Sequence, residues 1–141
     1  MIGAILAKQA VRSGFKALNE RNLDKFMKAW AEQSVWIYPG DLPVSGIHVG
    51  KDAVNKWFEH FMEQFPNCKF NLIHLGVDNI FALNGNNTVS AYWELELTNK
   101  AGFSFQNRGV TLLYIKGSKV VKGEDFLFKN SGEDFHKIWG E

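Results

Sequence analysis

The sequence predicts an α+β fold: a cone-shaped, strongly curved antiparallel sheet wrapped around three N-terminal helices, a cystatin-like α+β roll. Three observations predict it. Apolar residues recur every three or four positions through the first half of the chain, the period of a helix buried on one face. After Pro66 the period drops to two, as in strands with one buried face. The turn signals NGNN, NKAG and GSK then divide that half into consecutive strands, which is the signature of a meander. A chain of 141 residues fits one domain, residues 1–141, with a core large enough to stand without disulfides.

The elements follow in order. Ala4, Ala7, Val11, Phe15 and Leu18 make one face of a first helix. Asn22 can cap a second, whose stripe is Leu23, Phe26, Met27 and Trp30. SVWIYP is a short strand stopped by Pro39-Gly40. GDLPVSGIHVG carries no period and reads as a loop. A third helix runs roughly from Lys51 to Gln64, with Val54, Trp57, Phe58, Phe61 and Met62 on one side. FNLIHLGV and DNIFAL read as one long strand broken by a bulge near Gly76. In TVSAYWELELT, Val89, Ala91, Trp93, Leu95 and Leu97 face one way and the polar residues the other. FSFQNRGVTLLYIK and VVKGEDFLF complete the meander, and a short helix from Glu133 to Trp139 closes an edge.

Composition narrows the function. Hydrophobic residues at 45% and charged residues at 22% exclude disorder, collagen and coiled coil. Sixteen basic against fifteen acidic residues give a net charge of +1, which argues against a chain devoted to nucleic acid or anionic lipid. A local patch is compatible with that balance. Aromatic residues reach 14%, which is suitable lining for a small-molecule cavity. Cys68 stands alone, and no Cys or His spacing suits a metal, so no metal site is expected. No GxGxxG or GxxxxGK[ST] motif is present, so no nucleotide and no other cofactor is expected. MIGAILAKQA is too short an apolar start for a signal sequence, and nothing approaches the ~18–20 apolar residues of a membrane span. With an unpaired cysteine, the expectation is a cytoplasmic protein that engages neither membrane nor nucleic acid.

Three segments, LNERNLDKFMKAWAEQSVWIYPG, HVGKDAVNKWFEHF and KGSKVVKGEDFLF, resemble the nuclear-transport-factor-2-like superfamily, in particular its SnoaL-like, polyketide-cyclase-like branch. The resemblance spans nearly the whole chain. It implies the fold firmly and the function poorly, because the superfamily joins isomerases, dehydratases, epoxide hydrolases, cyclases and non-catalytic modules. The base, acid and tyrosine of its ketosteroid isomerases correspond here to Tyr38, Thr111 and Phe15, which disfavours that route. Its epoxide hydrolases place an Asp where Asp125 stands, but the partner positions fall on Trp93 and Leu95, which activate no water. The cyclases use a last-strand acid, and Asp125 is the residue that inherits this role.

The candidates follow from phase and chemistry. In VVKGEDFLF, Val121, Gly123, Asp125 and Leu127 share a face; if it is concave, burial raises the Asp125 pKa into acid–base range. The bland alternative is a carboxylate that merely bonds Thr111. Tyr38 ends the first strand, where its hydroxyl could orient a carbonyl, and Trp36 adds a wall. His48 sits in the loop over the expected mouth. His74 shares parity with Phe70 and Leu72 and is expected to point inward, as catalyst or as core histidine. Trp57, Trp93, Asn107, Thr111 and Leu113 complete the expected lining. Two functions result: a hydrophobic-molecule-binding lyase, isomerase or cyclase without cofactor that uses Asp125 as acid and base, or a non-catalytic binding module. The outer face, with Val110, Leu112, Tyr114, Phe126 and Phe128, has no helix to cover it and suggests a homodimer.

Overall fold

Helix α1 (Ile2–Asn19) buries Ala4, Val11, Phe15 and Leu18, the stripe its spacing dictates. The computed structural model describes residues 2–140. Asn19 at the end of α1 exchanges two hydrogen bonds with the backbone of Phe70, at 2.9 and 2.8 Å, which fixes the helix on the sheet. The chain then turns at Arg21, with φ 59°. That turn throws the Arg21 guanidinium onto the carbonyls of Met62 (2.6 Å) and Phe65 (2.9 Å). A cation thereby satisfies the free carbonyls at the end of α3 (Lys51–Gln64), where the helix dipole also favours positive charge. Helix α2 (Leu23–Lys28) is capped by the Asn22 side chain, which accepts from the Lys25 N–H at 3.1 Å.

Six strands form an open, curved sheet in the order β2-β1-β6-β5-β4-β3. They are β1 (Trp30–Tyr38), β2 (Gly46–Val49), β3 (Asn67–Val77), β4 (Asn87–Thr98), β5 (Ser104–Lys116) and β6 (Lys119–Leu127). The sheet is antiparallel except between β1 and β6, which run parallel, with Trp36 beside Gly123. The helices cover its inner face. Helix α4 (Glu133–Trp139) does more than close an edge: Phe135, Ile138 and Trp139 are buried in the same core as the aromatic residues of α3 and β1.

Several local expectations need correction. Trp30 begins β1 instead of ending α2, and GIHV, expected in a loop, pairs with β1 as β2. DNIFAL is a loop, pinned where Asn79 Oδ1 accepts from the Phe81 N–H and Asn79 exchanges bonds with Asn87. The irregularity in β3 lies between Leu72 and His74, not at Gly76. In β6, Val120 takes the inner position and Val121 is displaced, because the pairing with β5 shifts between Tyr114 and Ile115.

Two strand glycines are required by their neighbours. A Cβ at Gly109 would collide with the Phe126 carbonyl oxygen and lie 2.9 Å from Trp93 Cη2. At Gly123 it would lie 2.8 Å from Trp30 Cη2 and 3.0 Å from Trp36 Cε3. The indole rings lie against bare backbone, and that close approach is what lets so many tryptophans share one interior.

Candidate active site

Inside the cone lies a cavity of about 90 Å³ whose lining is overwhelmingly apolar. Its polar equipment comes from β1, β4, β5 and β6. Ladder pairing places Thr111 opposite Asp125 and next to Ala91, with Trp93 one inner position along. Trp93 Nε1 donates to Thr111 Oγ1 at 2.8 Å, and Thr111 Oγ1 donates to Asp125 Oδ1 at 2.5 Å. An indole N–H can only donate, so the threonine oxygen accepts it, which leaves the hydroxyl proton for the carboxylate when Asp125 is ionised.

Asp125 is almost wholly buried, and that burial pushes its pKa up to about 7, against the weaker opposing pull of the Thr111 hydroxyl. Near neutrality the carboxyl therefore exchanges between acid and base, the condition for efficient proton transfer. Among the described residues Oδ2 has no side-chain partner, so it is the seat available for the exchanging proton.

Tyr38 belongs to the same group. The β1–β6 register carried one step beyond Ile37 and Glu124 sets Tyr38 beside Asp125. Burial and the nearby Asp125 charge both raise the phenol pKa, so Tyr38 stays protonated. Its oxygen accepts from Trp139 Nε1 at 3.3 Å; among the described residues its own proton has no acceptor. Trp36 also lines the cavity, and its indole nitrogen is buried without a hydrogen-bond partner. Because Cε3 and Cζ3 of that ring face Gly123, the nitrogen edge points away from the β6 backbone.

The other expected residues divide. Trp57, Trp93, Thr111 and Leu113 line the cavity. Asn107 borders it, but its amide is committed: Nδ2 donates to the Lys129 carbonyl at 2.9 Å, and Oδ1 accepts from the Lys129 N–H at 3.1 Å. His48 lies on β2, outside the lining, with Nε2 at 3.0 Å from the Val44 carbonyl that Trp57 Nε1 also reaches. His74 is exposed and outside the cavity. The irregularity before it reverses the parity of β3, so Leu75 and not His74 turns inward. Sequence reasoning missed Trp139, which reaches Tyr38 from α4. Phe135, Ile138 and Trp139 at helical spacing were the available signal.

Among the described residues no helix is long and apolar enough to cross a membrane. Among the described residues no group of three His, Cys, Asp or Glu is placed to hold a metal ion.

Solved structures share this architecture. A protein of unknown function from Burkholderia pseudomallei K96243, described as NTF2-like, superposes with a TM-score of 0.80 at 17% identity, covering 96% of this chain and 98% of that one. Bal32a, from a soil-derived mobile gene cassette, gives 0.80 at 19% identity, over 97% and 98%. TerC, co-crystallised with polyporic acid, gives 0.74 at 13% identity, over 96% and 99%. At these identities the likeness establishes the fold alone. No curated protein matches the sequence. The family model for the SnoaL-like domain matches residues 11–123, most of the chain, and this shows that the chain belongs to the SnoaL-like family.

Proposed function

We propose that the protein binds a small hydrophobic carbonyl compound in this cavity and moves a proton on it through Asp125, as a cofactor-independent isomerase, cyclase or lyase. The observation that carries this reading is a carboxyl group buried in an otherwise apolar cavity and held by the Trp93–Thr111 relay, its pKa pushed up to about 7 by that burial. Such a group is costly to bury, and acid–base work is a direct use for it. Tyr38 offers a donor to a ligand oxygen, and aromatic walls from Trp36, Trp57 and Trp93 suit a flat molecule. The polyporic acid of TerC supports uptake of an organic ligand by this architecture. Against the ~300–1,000 Å³ of drug-sized pockets, about 90 Å³ suits a compact ligand of one ring.

The test is a panel of cyclic ketones and hydroxy-aromatic carbonyl compounds, read by tryptophan fluorescence and by solvent deuterium exchange. Binding with exchange that Asp125→Asn abolishes supports the reading. Exchange that survives Asp125→Asn overturns the acid–base role. The second reading, a non-catalytic binding module, is favoured by the small volume of the cavity; it requires ligand binding with no exchange in the native protein.

The same proposal extends to assembly and location. On the outer face Phe126 and Phe128 are exposed, while Val110, Leu112 and Tyr114 are half-buried. A two-fold homodimer would cover them with their own copy, in a cytoplasmic setting.

A further inference from the structure

We infer that one end of the molecule, where the cavity reaches the surface, docks on an anionic lipid bilayer. Three segments meet there. Gly3 of α1 abuts the backbone of Ala82, whose carbonyl oxygen occupies the place a Cβ at Gly3 would take. The same loop is tied to the β5–β6 turn: the Ser118 N–H donates to the Gly85 carbonyl at 3.0 Å, and the Gly117 N–H donates to Asn86 Oδ1 at 2.9 Å. On the first two segments Ile2, Ile5, Leu6, Ile80, Phe81 and Leu83 are all exposed, Phe81 by 73% and Leu83 by 79%. Large side chains so exposed in one neighbourhood mark an interaction surface.

Charge selects the occupant. Beside the patch, residues 2–8, 78–86 and 116–119 carry Lys8, Lys116 and Lys119 against one carboxylate, Asp78. The Lys119 ammonium donates to the Lys28 carbonyl without losing its charge. A second copy of this face would bring like charges together, so self-association is disfavoured. A peptide partner would need a groove or a strand edge, whereas these apolar groups sit on a helix start and a loop tip. Apolar tips beside basic residues match the interface of an anionic bilayer, where side chains enter the headgroup boundary and the cations stay at the phosphates. The overall balance of +1 hides this asymmetry.

The cavity gives the surface a purpose. Its lining runs out to the exposed residues Ala10 of α1 and Ser118 of the β5–β6 turn, so its entrance lies among these segments. A hydrophobic ligand dissolved in the bilayer would enter without crossing water. The docking inference does not depend on what Asp125 does once a ligand is inside.

The experiment is flotation of the full chain with phosphatidylcholine vesicles, with and without phosphatidylglycerol. Expected is binding to the phosphatidylglycerol vesicles that weakens as salt rises and falls at least roughly tenfold in the double variant Phe81→Glu, Leu83→Glu. Both positions are exposed loop residues, and an unchanged circular dichroism melt confirms that the variant folds. Three results overturn the inference. One is no binding to phosphatidylglycerol vesicles at low salt. The second is binding that the double variant leaves intact. The third is a native oligomer that the same substitutions dissociate, which assigns the patch to a second copy.

Discussion

At the level of single residues, Asp125 makes stability depend on pH in an uncommon direction. Its folded pKa, about 7, lies above the ordinary 3.8. Between those values the unfolded chain gives up this proton while the folded protein keeps it, so stability falls as pH rises from about 4 to 7 and is flat beyond. The full loss is on the order of 4 kcal/mol. Urea denaturation across that range should therefore show Asp125→Asn gaining on the native protein with rising pH, then holding a constant advantage. A difference that stays level between pH 4 and 7 would contradict the raised pKa. Thr111→Val probes the other half of the relay. It removes a bond that lowers the Asp125 pKa and strands the buried Trp93 N–H, so the titration moves alkaline and about 1–3 kcal/mol of stability is lost. Asp125 was legible in the sequence because period-two alternation placed it inside with few competitors. His74 was misread for a physical reason: one shifted residue reverses every later side chain in a strand, and LIHLG carries no mark of where that shift falls.

At the level of elements, the tight approaches give graded expectations. Gly109→Ala drives a methyl into the Phe126 carbonyl, which belongs to a paired strand and cannot move alone. Gly123→Ala meets indole edges, which can tilt. Both should destabilise by roughly 1–3 kcal/mol, Gly109→Ala by more, with thermal melts giving the order. Arg21→Ala leaves the Met62 and Phe65 carbonyls without their cation and should cost about 1–3 kcal/mol, with amide exchange rising first in the last turn of α3. The helices and long strands were legible because their periods run over many residues. Strand β2 was not, since GIHV is too short for a period to emerge among Pro and Gly neighbours. It becomes a strand because β1 offers an unpaired edge, a fact about tertiary structure and not about those four residues.

At the level of the whole molecule, light scattering separates the two exposed faces. If the outer sheet face forms the homodimer, Leu112→Glu halves the mass of the particle, and Phe81→Glu with Leu83→Glu leaves it unchanged. A native mass near 16.0 kDa would remove the dimer proposal. The outer patch is less naked than its sequence suggests. Arg108 covers Phe128 at 4.1 Å from the ring centre, and the Lys122 ammonium lies 5.1 Å from that of Tyr114. Alternation revealed which residues face outward, but it could not show that cations on the neighbouring positions fold back over the rings. The cone itself was legible from the order of helices and strands, whereas the parallel join between its first and last long strands was not.

That parallel join has a kinetic consequence. Trp36 meets Gly123 across most of the chain, so pairing β1 with β6 closes a loop whose entropy costs roughly 4 kcal/mol beyond a constant. The β3–β4–β5–β6 meander closes only short turns and can assemble first. Tyr38 comes from β1, the late partner, so it reaches Asp125 only at the end of folding. Substitutions at this seam, such as Val35→Ala, should speed unfolding while leaving the refolding rate nearly unchanged, which stopped-flow tryptophan fluorescence can follow. A ligand bound across the seam would then act as a kinetic clasp, slowing the escape of the last strand from the first.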